Sequence, residues 1–125
     1  ELAKTIGSSL KTAKPGVYIW GGEPTIMLPD NPGQGGRNQS LALALSEFIE
    51  GRSDVSILVA GTDGTDGPTN AAGGIVDGDT YDDCAAVTDA LQRADAGSYL
   101  LKQNNLLVTG PTNTNVMDLA IAIID

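Results

Sequence analysis

Val55-Ser56-Ile57-Leu58-Val59-Ala60 runs directly into Gly61-Thr62-Asp63-Gly64-Thr65-Asp66-Gly67-Pro68-Thr69. The first stretch is almost wholly apolar and rich in β-branched residues, as expected of a central strand covered on both faces. The second mixes glycine with short polar side chains, which is loop composition. The same arrangement occurs twice more. Thr25-Ile26-Met27-Leu28 leads into Pro29–Gln39, and Leu106-Leu107-Val108 leads into Thr109–Asn115. If these strands lie parallel in one sheet, all three loops leave at one edge, which is where open α/β sheets bind ligands. Glycine lets backbone approach a ligand closely, while Thr, Asn and Asp offer short, stiff polar groups. Such an edge reads as a site for a small polar molecule.

Working outward, Leu2, Ile6 and Leu10 recur every fourth residue, which predicts an amphipathic helix over 1–13 stopped by Pro15-Gly16. Val17–Trp20 reads as a strand, with Gly21-Gly22 bending it toward a further strand at 25–28. Asn38 is the expected N-cap of a helix running to about Glu50, ended by Gly51, with Leu41, Leu45, Phe48 and Ile49 as its buried stripe. Gly73–Gly78 is a short strand or turn. Residues 80–103 read as two helices separated near Asp95-Ala96-Gly97, and Leu106–Val108 and Leu119–Ile124 supply two strands. The alternation predicts an α/β fold, a layered sandwich of a mixed, largely parallel sheet with helices packed on it.

With 125 residues the chain is long enough for one domain with a real core. Sixteen acids against seven bases give a net charge of -9, a field that opposes non-specific contact with nucleic acid or an anionic membrane. The longest apolar run, 119–124, is too short to span a bilayer. The absence of histidine removes Ser-His and Cys-His catalysis and histidine metal sites. Cys84 is the single cysteine, so no internal disulfide forms; this fits a reducing, cytoplasmic setting.

Gly33-Gln34-Gly35-Gly36-Arg37-Asn38 approaches two phosphate motifs and matches neither, lacking the lysine of a P-loop and the third glycine of a dinucleotide fingerprint. What remains is a glycine loop feeding a helix N-terminus, a natural place for an anion. Arg37 is the only cation in the three loops; it suits a phosphate or carboxylate, or equally a pairing with one of the local acids. Asp63 and Asp66 lack the spacing of a calcium loop, so backbone-turn or substrate-hydroxyl roles precede metal ligation. Thr112, Thr114 and Asn115 could contact a ligand, cap their own loop, or both. Glu23 could orient Arg37 or act as an acid.

Taken together, Gly21–Thr25, Gly35–Gln39, Gly61–Thr69 with Ala71-Ala72-Gly73, and Thr109–Val116 resemble the MOFRL domain, the C-terminal part of class II glycerate 2-kinases, also known as hydroxypyruvate reductases. The likeness runs from about residue 17 to the end. It implies that residues 1–16 form a linker helix from an N-terminal domain absent from this sequence, and that 17–125 form the MOFRL domain. It implies an enzyme that uses ATP and Mg²⁺ to phosphorylate the 2-hydroxyl of D-glycerate, in a cleft between the two domains. The other domain is expected to supply a lysine. Arg37 and Asp63 are then the catalytic candidates. Gly35, Gly36, Asn38, Gln39, Thr62, Gly64, Asp66, Thr112, Thr114 and Asn115 are the candidates for cofactor binding. No metal ligand is assigned. One departure is Ala96-Gly97 before Ser98-Tyr99, where the family carries Asn-Asp; Gly97 also weakens a helix by roughly 1 kcal/mol. The alternatives are an NAD(P)H-dependent hydroxypyruvate reductase and a stand-alone small-ligand module.

Overall fold

The computed structural model describes residues 1–125. The chain forms α1 (Leu2–Leu10), β1 (Gly16–Gly22), α2 (Arg37–Ser46) with a 3₁₀ turn at Glu47–Ile49, β2 (Val55–Gly61), β3 (Gly73–Asp77), α3 (Cys84–Gln92), α4 (Ala96–Lys102), β4 (Leu106–Leu107) and β5 (Asp118–Ile124). The five strands make one sheet in the order β1-β5-β2-β3-β4. Every neighbouring pair is antiparallel. The α/β class holds, but the largely parallel sheet does not. Apolar runs report burial and carry no information on strand direction, and here β5 returns between β1 and β2.

The shared edge survives this correction for a different reason. One antiparallel strand separates β1 from β2, and another separates β2 from β4, so β1, β2 and β4 all point the same way. Gly22 and Gly61, their ends, both pair with Asp118 at the start of β5. Leu107, the end of β4, pairs with Gly73 at the start of β3. The loops 23–36, 62–72 and 108–117 therefore leave side by side.

Thr25–Leu28 is not a strand. The backbone has left the sheet at Gly22, and the apolar residues that suggested a strand stand in solvent, Met27 at 96 % exposure and Leu28 at 63 %. The helices cover one face of the sheet only. Val55, Ile57 and Val59 of β2 are buried against them with Ala120, Ala122 and Ile124 of β5, whereas Val17, Ile19, Ile75 and Ile123 are exposed on the opposite face. Double coverage of β2, expected from its apolar run, is thus not found.

Ile6 and Leu10 of α1 join the same core as Leu43, Leu45 and Ile49, so the N-terminal helix is packed into the domain. Helix α2 begins at Arg37, one residue ahead of the expected cap at Asn38. Gly97 has a packing reason. A Cβ there would stand 2.6 Å from Gln39 Oε1 and 2.8 Å from the Gln34 carbonyl, so α4 passes α2 and the Gly33–Gly36 loop only because this side chain is missing.

Candidate functional site

Arg37, the first residue of α2, lies at the sheet edge. Its Nε donates to Asp118 Oδ2 at 2.6 Å, and its Nη2 donates to Asp118 Oδ1 and Glu23 Oε1, each at 3.3 Å. Asp118 is buried, with a side chain 7 % exposed, whereas Glu23 is 57 % exposed. The firm partner is therefore Asp118, and Glu23 is a loose one. The hydrogen bond that Arg37 donates to Asp118 raises the Arg37 pKa further, beyond what burial takes away, so the guanidinium is charged at any working pH.

Asp66 is 2 % exposed and its carboxylate lies against the start of α2. Its Oδ1 accepts from the Asn38 N–H at 3.0 Å and its Oδ2 from the Gln39 N–H at 2.8 Å. A carboxylate from a distant loop thus satisfies two of the amides that the first turn of a helix leaves open. Burial raises the Asp66 pKa, and the two amides only partly oppose it. The contact also needs Gly36, whose Cβ would strike the Asp66 carboxyl group. Gln39 adds a bond from Nε2 to Thr69 Oγ1 at 3.0 Å.

The second and third loops are latched in the same way. Thr62 donates through its N–H, at 3.0 Å, and its hydroxyl, at 2.7 Å, to the Met117 carbonyl, and Thr62 Oγ1 accepts from the Val116 N–H at 2.8 Å. Met117 is held at φ 71°, an uncommon conformation for a non-glycine residue, immediately before Asp118. Thr112 donates its hydroxyl to the Thr62 carbonyl. Gly64, at φ 87°, abuts the Gly110 carbonyl so closely that no Cβ fits. Asp63 Oδ1 accepts from the Thr65 N–H at 3.0 Å, a local Asx turn, and Asn115 Oδ1 does the same for the Met117 N–H.

These contacts enclose an open cavity of about 340 Å³ that includes Gly35, Gly36, Arg37, Asp63, Asp66 and Asn115 in its lining. Glu23 and Asp118 line it too, so four carboxylates face one guanidinium. A wall of this charge does not hold a polyanion unaided. No cluster of three or more acidic, cysteine or histidine side chains has the arrangement of a metal site.

Comparison with known proteins bears on what this edge is for. Residues 16–118 match the model of the MOFRL family. The chain belongs to the MOFRL family. The D-glycerate 2-kinase of Thermotoga maritima is 49% identical over 115 residues, covering 89% of this chain and 27% of that protein. The glycerate 2-kinase of Pyrococcus horikoshii is 44% identical over 116 residues, covering 88% of this chain and 26% of that protein. The crystal structure of glycerate kinase from Thermotoga maritima superposes with a TM-score of 0.91 at 43% identity, over 98% of this chain and 32% of that one. The chain thus spans about a quarter of the length of the curated relatives it matches. No helix of the chain is long and apolar enough to cross a membrane.

Within this MOFRL domain the structure gathers most of the residues singled out by the sequence. Gly35, Gly36, Arg37, Asp63, Asp66 and Asn115 line one cavity; Thr62, Gly64 and Thr112 latch its loops; Thr114 is an exposed member of the third loop. Asn38 and Gln39 are buried, and their backbone N–H groups, the open end of the helix in the sequence reading, belong to Asp66. Asp118 was missed. Its signal was slight: one acid at the head of an apolar run, adjoining a Thr/Asn-rich loop.

Proposed function

We propose that this MOFRL domain forms one wall of the active-site cleft of a glycerate 2-kinase, which transfers the γ-phosphoryl group of ATP to the 2-hydroxyl of D-glycerate. The observation that carries the reading is Arg37, held side-on by buried Asp118 with Nη1 left without a protein partner, in a family whose relatives are glycerate 2-kinases over this segment. Phosphoryl transfer needs positioning and charge neutralisation more than covalent chemistry. Arg37 supplies a fixed donor for a phosphate or for the glycerate carboxylate.

The other wall comes from a preceding N-terminal domain. The excess of carboxylates over cations here supports that division, because a polyphosphate requires further positive charge from elsewhere. Asp63 is the carboxylate not engaged with Arg37 or with the start of α2; its Oδ1 is occupied by Thr65 and its Oδ2 is left to orient the glycerate hydroxyl. A Mg²⁺ ion is usually held by one or two carboxylates together with phosphate oxygens. Asp63 fits one such ligand, and the ion would supply neutralisation of phosphate charge. The setting is the cytoplasm, in keeping with the unpaired Cys84.

The test uses the longer polypeptide that contains this domain, assayed with ATP plus D-glycerate and separately with NADH plus hydroxypyruvate. Turnover of the first pair is expected. Oxidation of NADH without phosphorylation of glycerate would overturn the kinase reading in favour of a reductase.

A further inference from the structure

Helices cover one face of the sheet, and the other face has the composition of an interior. The register places Ile19, Ile121, Leu58 and Ile75 in one unbroken row across β1, β5, β2 and β3. In the next row Val17 stands beside Ile123, followed by Ser56 and Asp77, the two polar residues among the outward positions of these four strands. On the edge strand β1, Val17 and Ile19 are 62 % and 64 % exposed. An antiparallel sheet with one face in water ordinarily alternates apolar inside with polar outside. Strand β5 is instead apolar at every position from Leu119 to Ile124, on both faces. Contiguous apolar surface of this kind marks contact with a further layer of protein.

We infer that helices of the polypeptide preceding this domain cover the open face and complete an α/β/α sandwich. Three observations choose that occupant. The chain spans 27% of the Thermotoga maritima relative and 26% of the Pyrococcus horikoshii one, so most of a polypeptide of that length lies outside it. Leu2, at the start of α1, shares a cavity with Trp20, Gly22 and Pro24, so chain leading into α1 arrives beside β1, the strand that exposes Val17 and Ile19. A second copy is disfavoured, because it would press together two chains of net charge -9. Four strands about 4.8 Å apart give roughly 15–19 Å of width, the room of two helices about 10 Å apart. The side of those helices that meets the sheet is aliphatic. This surface is separate from the loop edge that carries Arg37, which lies at the strand ends. The inference takes from the proposed function only that a polypeptide precedes this domain, and nothing from the reaction.

The test places a photoreactive benzophenone side chain at Ile19 or, separately, at Ile75 of the longer polypeptide, the two ends of the aliphatic row. Irradiation followed by peptide mass spectrometry is expected to give, from both positions, links to segments that precede residue 1, in a product of monomer mass. Links between two molecules would make the cover a second copy, and no link from either position would leave the face in water; each overturns the inference. A link from one position alone overturns the two-helix layer. Ile19→Lys in the same polypeptide supplies a second readout. Amide exchange in the linked segment should quicken by about tenfold or more while α2 keeps its protection. Unchanged exchange in that segment counts against the contact. Phosphorylation of D-glycerate by a polypeptide that gives no such links would remove this inference and leave the kinase reading. Links in a polypeptide that does not phosphorylate D-glycerate would do the reverse.

Discussion

Arg37 Nε donates to Asp118 Oδ2 across 2.6 Å, tying the first residue of α2 to the first residue of β5. One contact thereby couples the glycine loop to the strand that pairs with both β1 and β2. Each end depends on the other. Asp118 is buried and needs a cation, and Arg37 is otherwise held only by the exposed carboxylate of Glu23.

Asp118→Asn should therefore cost stability, by about 1–2 kcal/mol. That lies between the value for exposed ion pairs and that for breaking buried ones, because Arg37 is partly solvated. Urea unfolding of Asp118→Asn, Arg37→Ala and the double variant measures it. Strongly non-additive losses are expected; simple additivity would mean that the pair is not coupled.

Asp66→Ala removes the acceptor for the Asn38 and Gln39 amides and leaves both buried. The expected loss is about 1–2 kcal/mol, that of a missing helix cap. Amide hydrogen exchange should quicken first at residues 38 and 39. Unchanged exchange there would show that water replaces the carboxylate freely.

Gly64→Ala places a methyl group against the Gly110 carbonyl at a backbone angle that alanine disfavours. A loss of at least about 2 kcal/mol is expected, with Thr112 displaced from Thr62. Loss of the loop 109–115 chemical shifts, with the core shifts intact, would confirm that the strain acts between the second and third loops. A global loss of structure would refute that.

Stability should depend on pH with two limbs of opposite sign. Burial raises the folded pKa of Asp66, so its contribution is full below the unfolded value, near 4, and is lost as pH rises through the folded pKa. For Asp95, burial acts upward, but hydrogen bonds from Ser98 and the Gln34 N–H, with Arg93 nearby, hold the pKa below the ordinary value. Its contribution is present above about pH 4 and is lost below it. Urea midpoints should thus rise modestly from pH 7 toward about 4 and then fall. Asp66→Asn should flatten the upper limb and Asp95→Asn should reduce the lower one.

Much of this was legible in the chain. Helix α2, strands β2 and β5 and the pair α3 and α4 follow from apolar spacing and glycine breaks. The three loops were recognisable because glycine with Thr, Asn and Asp is diagnostic of irregular backbone. Strand direction was not, since β5 would show the same run of Leu119–Ile124 in either orientation. Thr25–Leu28 misled because exposed apolar residues on a loop look locally like a strand. The capping of α2 by Asp66 and the pinning of Arg37 by Asp118 join residues 28 and 81 positions apart, beyond the reach of any local pattern.

The most direct test of the central claim is steady-state kinetics of Arg37→Ala in the longer polypeptide that contains this domain, with ATP and D-glycerate. If Arg37 neutralises charge on the phosphoryl group or the glycerate carboxylate, kcat/KM should fall by two orders of magnitude or more, about 3 kcal/mol of transition-state stabilisation. Arg37→Lys should recover only part of the loss, because an ammonium lacks the planar fork that grips Asp118. A change in kcat/KM of less than about threefold on Arg37→Ala, well under 1 kcal/mol, would contradict the claim.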